Sequence, residues 1–199
     1  MNLANKLTFF RIILAPVFFA VYFLPQYFSS LSGNGQGWTI PVLWAIFIIS
    51  EITDYFDGLA ARKLNESSDF GKLFDPFADT LVQLTCFLCF VIDGIFPAFL
   101  FLLVVYREFS ILFIRNLMLK KGAALGARLG GKIKTVVYII AAGAALLAVS
   151  LERLDVYESI LPYFKTGALI IFIISVVIAI LSFIDYLVIY LKTENKTEK

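Results

Sequence analysis

Long apolar runs alternate with short polar or glycine-rich stretches along the chain. After the polar residues 1–7, apolar side chains dominate from Thr8 to Phe28, a length sufficient for a bilayer, which needs about 20 residues. The run is longer than the apolar region of a cleaved leader and lacks a small-x-small site. Further apolar runs follow it, so it is read as a retained helix. Ser29 to Trp38 is uncharged and rich in Gly, Ser and Asn, which predicts a loop. A second helix is expected from Thr39, with Pro41 in its first turn, to Arg62. Lys63 to Lys72 is a polar connector, and a third helix is expected from Asp75–Pro76 to Ile92. Asp93-Gly94 predicts a tight turn. A fourth helix is expected over Phe96–Leu119, a fifth over Lys132–Leu151 after the basic Gly/Ala stretch Lys120–Gly131, and a sixth over Thr166–Leu191. The charged segment Glu152–Lys165 separates the last two, and a polar tail closes the chain from Lys192 to Lys199.

Composition agrees with this layout. Of the 199 residues, 60% are hydrophobic and 16% aromatic, and the mean hydropathy is +0.88. These values lie far from a soluble domain. The chain is expected to be an all-α integral membrane protein, one domain over residues 1–199 with six transmembrane helices. The net charge of +2 says little, but its distribution says more. Thirteen of the Lys and Arg residues, from Lys6 and Arg11 to Lys196 and Lys199, fall on one side of a six-helix weave. Arg153 and Lys165 fall on the other. The positive-inside tendency then places both termini in the cytoplasm and the chain in the cytoplasmic (inner) membrane.

The candidate chemistry sits at the end of the second helix and the start of the third. Asp54, Asp57, Asp75 and Asp79 put four carboxylates into 26 residues. Ionised carboxylates near hydrocarbon are costly unless paired or bound to metal. Asp54 and Asp57 are three apart and Asp75 and Asp79 four apart, so each pair shares one helix face. If the two helices lie side by side, all four point into one gap. Hard oxygen ligands in that number suit Mg²⁺ or Mn²⁺, and a pair of ions is expected. With no His and only Cys86 and Cys89, zinc is disfavoured and a His-based nucleophile is excluded. Cys86-x-x-Cys89 lies inside an apolar run and is read as packing. Asp75 alone, before Pro76, also reads as a helix N-cap.

A basic set follows. Arg107 and Arg115 are eight apart, nearly on one helix face, and Lys132 and Lys134 open the fifth helix. Four cations beside four anions suit a phosphorylated acceptor, since Arg offers a bidentate fork to an oxyanion. Arg107 and Glu108 also read as a buried ion pair between helices. Lys120 and Lys121 read as topogenic charge, and the small residues Ala141–Ala145 as close helix packing.

The pattern Asp54-x-x-Asp57-Gly58-x-x-Ala61-Arg62, eight residues, Gly71-x-x-x-Asp75-x-x-x-Asp79 resembles the signature of the CDP-alcohol phosphotransferases at every fixed position. Asn5-x-Leu7-Thr8-x-x-Arg11, Arg107-Glu108-Phe109 with Arg115, and Gly131-Lys132-x-Lys134-Thr135 resemble its bacterial phosphatidylglycerophosphate synthase branch. Between Phe109 and Arg115 that branch often carries small residues, where this chain has Leu112 and Phe113. The resemblance implies a six-helix fold, a homodimer, and transfer of a phosphatidyl group from CDP-diacylglycerol to glycerol 3-phosphate with release of CMP. It implies that Asp54, Asp57 and Asp75 ligate metal, and that Asp79 ligates a second ion and acts as general base. Gly58, Ala61 and Gly71 would admit the nucleotide close to the backbone, with Asp57 and Arg62 beside it, Arg62 on the donor phosphates. A sister enzyme with another acceptor (inositol phosphate, serine or another alcohol), a divalent-cation transporter and an inactive scaffold are the rival expectations.

Overall fold

Gly94 and Pro162 mark two of the helix ends. The computed structural model describes residues 3–27, 36–64, 69–120 and 129–197, and the side chains of 6–26, 36–54, 74–120 and 129–192. Six long helices carry these residues: α1 (Leu3–Tyr27), α2 (Thr39–Leu64), α3 (Asp69–Ile92), α4 (Ala98–Lys120), α5 (Leu129–Arg153) and α6 (Leu161–Thr197). One 3₁₀ turn, Gln36–Trp38, leads into α2. No strand occurs among the described residues.

The Asp93-Gly94 turn forms as expected. Gly94 takes φ +73°. Its amide donates to the Val91 carbonyl at 3.0 Å and the Ile95 amide to the Phe90 carbonyl at 2.9 Å. These two bonds cap the last carbonyls of α3 in a Schellman turn, which requires a left-handed residue at that point. Several boundaries differ from expectation. Helix α1 starts at Leu3 and α6 runs on to Thr197, so most of the expected polar entry and polar tail is helical. Helix α3 starts at Asp69 and runs through Pro76, so Asp75 lies inside the helix and is no N-cap. A proline at the eighth position of the helix forfeits one backbone hydrogen bond; α3 packs along α1. Helix α5 starts three residues early, at Leu129. Helix α6 starts at Leu161 because Pro162 suits a first turn. The expected charged segment therefore shrinks to residues 154–160, with Asp155 and Tyr157 in left-handed conformations. Lys165 then donates to Glu152 Oε1 across the turn at 2.7 Å.

Among the described residues α2 and α3 each pack along α1, not along each other. Helix α6 lies along α5 and also contacts α4, while α4 contacts α3. The core sits toward the end of the bundle that holds the Gly94 turn. Phe87, Phe90, Phe96, Tyr138 and Phe172 are buried there, and Phe96 stacks on Phe172 with centroids 4.0 Å apart. Phenylalanine thus fills the core as well as facing outward, as Phe99 and Phe113 do. Ala141, Ala142 and Ala145 are buried, as expected of a close packing face, and Cys86 and Cys89 are buried within the core.

Among the described residues, parts of five helices, α1, α2, α3, α5 and α6, are long and apolar enough to cross a membrane. The chain is a membrane protein. Helix α4 has 23 residues, about 35 Å at 1.5 Å each, but Arg107, Glu108 and Arg115 lower its apolarity. Arg107 and Glu108 are buried inside the bundle, where they can be paired.

Candidate active site

At the end of the bundle opposite the Gly94 turn, α1 inserts two polar residues between the aspartate helices. Thr8 and Arg11 are three apart and share one face of α1. Thr8 Oγ1 donates to Asp75 Oδ1 at 2.5 Å. Arg11 Nη1 donates to Asp54 Oδ1 at 2.6 Å and also to Asp79 Oδ1. The guanidinium is 1% exposed, whereas the side chains of Asp54 and Asp79 are 45% and 43% exposed. The two carboxylates thus meet at one cationic nitrogen and leave their other faces open.

Those faces look into a cavity of about 240 Å³. Arg11, Glu51, Asp54 and Asp79 line one part of it, and Arg107, Arg115, Lys132 and Lys134 another. Glu108, from α4, belongs to the basic wall. Its Oε1 accepts from Arg107 Nη1 at 2.8 Å and from Lys134 Nζ at 3.1 Å. All three charges are buried. One carboxylate between two cations leaves a net positive charge, and buried cations of this kind are tolerated only with such pairing. Lys134 also lies 4.5 Å from the centre of the Tyr138 ring. Arg115 carries no such carboxylate partner among the described contacts, and its Nε is buried without a hydrogen-bond acceptor there.

Asp54 and Asp79 therefore come together, with Arg11 of α1 bonded to both. Asp75 does not line the cavity; Thr8 holds it beside the pair. The four basic residues do converge, and Arg107 with Glu108 is the expected buried pair. Asp57, Gly58, Ala61, Arg62 and Gly71 lie outside the residues whose side chains are described. Glu51, Gln83 and Tyr186 also line the cavity and had no role in the sequence reading. Glu51 lies three residues before Asp54, one turn away on the same face, which is a signal the sequence does carry.

A model of the CDP-alcohol phosphatidyltransferase family matches residues 1–192. The chain belongs to this family. It is 36% identical over 195 residues to the CDP-diacylglycerol–glycerol-3-phosphate 3-phosphatidyltransferase of Treponema pallidum (strain Nichols), covering 94% of this chain and 88% of that one. The enzyme of the same name from Bacillus subtilis (strain 168) is 37% identical over 150 residues, 73% of this chain and 77% of that one. A probable phosphatidylglycerophosphate synthase of Mycobacterium tuberculosis is 34% identical over 149 residues, covering 75% and 68%.

CDP-alcohol phosphatidyltransferases generally depend on a divalent metal. Among the described residues no group of three His, Cys, Asp or Glu side chains is gathered as a metal site. The donor chemistry nevertheless fits. Asp54 and Asp79 present converging hard oxygens that already share a cation, the Arg11 guanidinium.

Proposed function

We propose that this CDP-alcohol phosphatidyltransferase transfers the phosphatidyl group of CDP-diacylglycerol to glycerol 3-phosphate, giving phosphatidylglycerophosphate and CMP. The observation that carries this reading is the single cavity with the Asp54–Asp79 pair on one part of its wall and a basic set on the other. Such a cavity suits a pyrophosphate donor and a second, anionic acceptor side by side. The printed names of the Treponema and Bacillus relatives agree with that acceptor.

In this reading the acceptor hydroxyl attacks the β-phosphorus of the donor. A P–O bond forms to the acceptor and the P–O bond to CMP breaks. The Asp79 carboxylate takes the hydroxyl proton, and the half-exposed face of Asp79 is open to the cavity for it. A pair of Mg²⁺ or Mn²⁺ ions, held by Asp54, Asp57, Asp75 and Asp79, would supply charge neutralisation for the pyrophosphate. Asp57 and Arg62 hold the nucleotide and donor phosphates, and Gly58, Ala61 and Gly71 keep side chains out of the nucleotide's way. Arg107, Arg115, Lys132 and Lys134 bind the phosphate of the acceptor, with Arg115 best placed for a bidentate contact. Glu108 already pairs with Arg107 and Lys134, and a neutral alcohol would give Arg115 no anion to bind.

The same reading makes residues 1–199 one membrane-embedded domain with α4 as its sixth span, inside the bundle where its charges are paired. An even number of spans puts both termini and the cavity on one side, the cytoplasmic side, by the distribution of Lys and Arg. The protein is proposed to work as a homodimer.

The test offers purified protein CDP-diacylglycerol with labelled glycerol 3-phosphate, inositol phosphate or serine, with and without Mg²⁺ or Mn²⁺. Metal-dependent labelling of lipid from glycerol 3-phosphate, with one CMP released per lipid formed, is expected. Labelling from serine or inositol phosphate instead would overturn the acceptor. Metal flux into liposomes that ignores CDP-diacylglycerol would overturn the reaction.

A further inference from the structure

The sequence reading gives α6 no part in the chemistry, yet α6 forms the back of the basic wall. The Ala179 carbonyl accepts from Arg107 Nε at 3.3 Å, and Ser182 Oγ lies 3.4 Å from Arg107 Nη2. The Tyr186 ring lies under Arg115, with the guanidinium carbon 5.9 Å from the ring centre. Residues 179, 182 and 186 are spaced by three and four, so they form one stripe along α6. All three are buried.

Two glycines hold this stripe in place. A Cβ on Gly130 would stand 3.3 Å from Ser182 Oγ, and one on Gly131 would stand 3.3 Å from Tyr186 Oη. The start of α5 therefore approaches α6 closely at the two polar members of the stripe. Lys132 and Lys134 follow at once on α5. The α4 arginines and the α5 lysines are thus indexed against the same two side chains of α6.

We infer that Ser182 and Tyr186 are positioning residues that set the affinity for the acceptor's phosphate, Ser182 through Arg107 and Tyr186 through Arg115. This deepens the function proposed above and rests on it. An arginine free to adopt several rotamers binds an oxyanion less well than one held against a ring, because its ordering entropy must then be lost on binding. The aromatic face supplies the hold at Arg115 and does not need the hydroxyl.

The test compares Tyr186→Leu, Tyr186→Phe and Ser182→Ala in the purified full chain, measuring KM for glycerol 3-phosphate and for CDP-diacylglycerol. Tyr186→Leu is expected to raise the acceptor KM by roughly tenfold, with the donor KM held within about twofold. Tyr186→Phe should stay near the wild type, because the ring remains. Ser182→Ala should raise the acceptor KM by about threefold. An unchanged acceptor KM in Tyr186→Leu, an equal rise in both constants, or a Phe variant as impaired as the Leu variant would overturn the inference. If Tyr186→Leu does not fold, Ser182→Ala decides: a selective rise in the acceptor KM supports the inference, and no rise overturns it. A wild-type protein that transfers nothing to glycerol 3-phosphate overturns the proposed function and this inference with it. A wild-type protein that does, with variants that leave its acceptor KM alone, overturns this inference only.

Discussion

Arg11 is the residue that makes the aspartate pair intelligible. Its partners lie 43 and 68 positions away along the chain. Helical spacing shows which carboxylates share a face of one helix, but not which cation from another helix will stand between them. The motif around Thr8 and Arg11 was legible as a pattern; its purpose needed the packing of α1 between α2 and α3. Glu108 shows the same limit on the basic side. Its pairing with the adjacent Arg107 could be read from sequence, whereas its bond to Lys134 on α5 could not. Glu108→Gln would leave two buried cations facing a neutral group. It should destabilise the fold by about 3 kcal/mol, seen as a lower Tm in detergent. An unchanged Tm would show that Arg107 and Lys134 find solvent or another anion without it.

At the scale of elements, the apolar runs mark the helices well, and the turn chemistry marks some ends better than others. Asp93-Gly94 was unambiguous because a left-handed position followed by Ile95 and Phe96 closes a helix in one way. Pro76 and Pro162 were ambiguous, since a proline suits a first turn but can also be carried within a packed helix. One stood inside α3 and the other at the start of α6. Gly94→Ala tests the turn cleanly. Nothing stands within 4 Å of an added Cβ, so only the backbone conformation is opposed. A loss of about 1–2 kcal/mol is expected, read as a lower Tm with unchanged KM values for both substrates. A shift in either KM would mean that the turn and the cavity are coupled across the bundle.

At the scale of the molecule, the division of labour runs along the bundle. The aromatic core lies at the end with the Gly94 turn, and the charged cavity lies at the other. Helix α4 reconciles the two demands, because it is long enough to span yet turns Arg107 and Glu108 inward. The count of helices was legible from hydropathy. That α4 is less apolar than its neighbours follows from its share in the cavity. The proposed topology predicts that, in a Cys86→Ala/Cys89→Ala background, a membrane-impermeant maleimide added to intact cells labels Tyr157→Cys and not Lys192→Cys. Labelling of Lys192→Cys alone would invert the orientation.

The central claim is that one cavity binds a pyrophosphate donor at its acidic wall and a phosphorylated acceptor at its basic wall. The most direct test is the KM for glycerol 3-phosphate and for CDP-diacylglycerol, measured side by side in Arg115→Ala. The account predicts an acceptor KM raised by roughly tenfold or more with the donor KM nearly unchanged. An equal rise in both, or a rise in the donor KM alone, would contradict it.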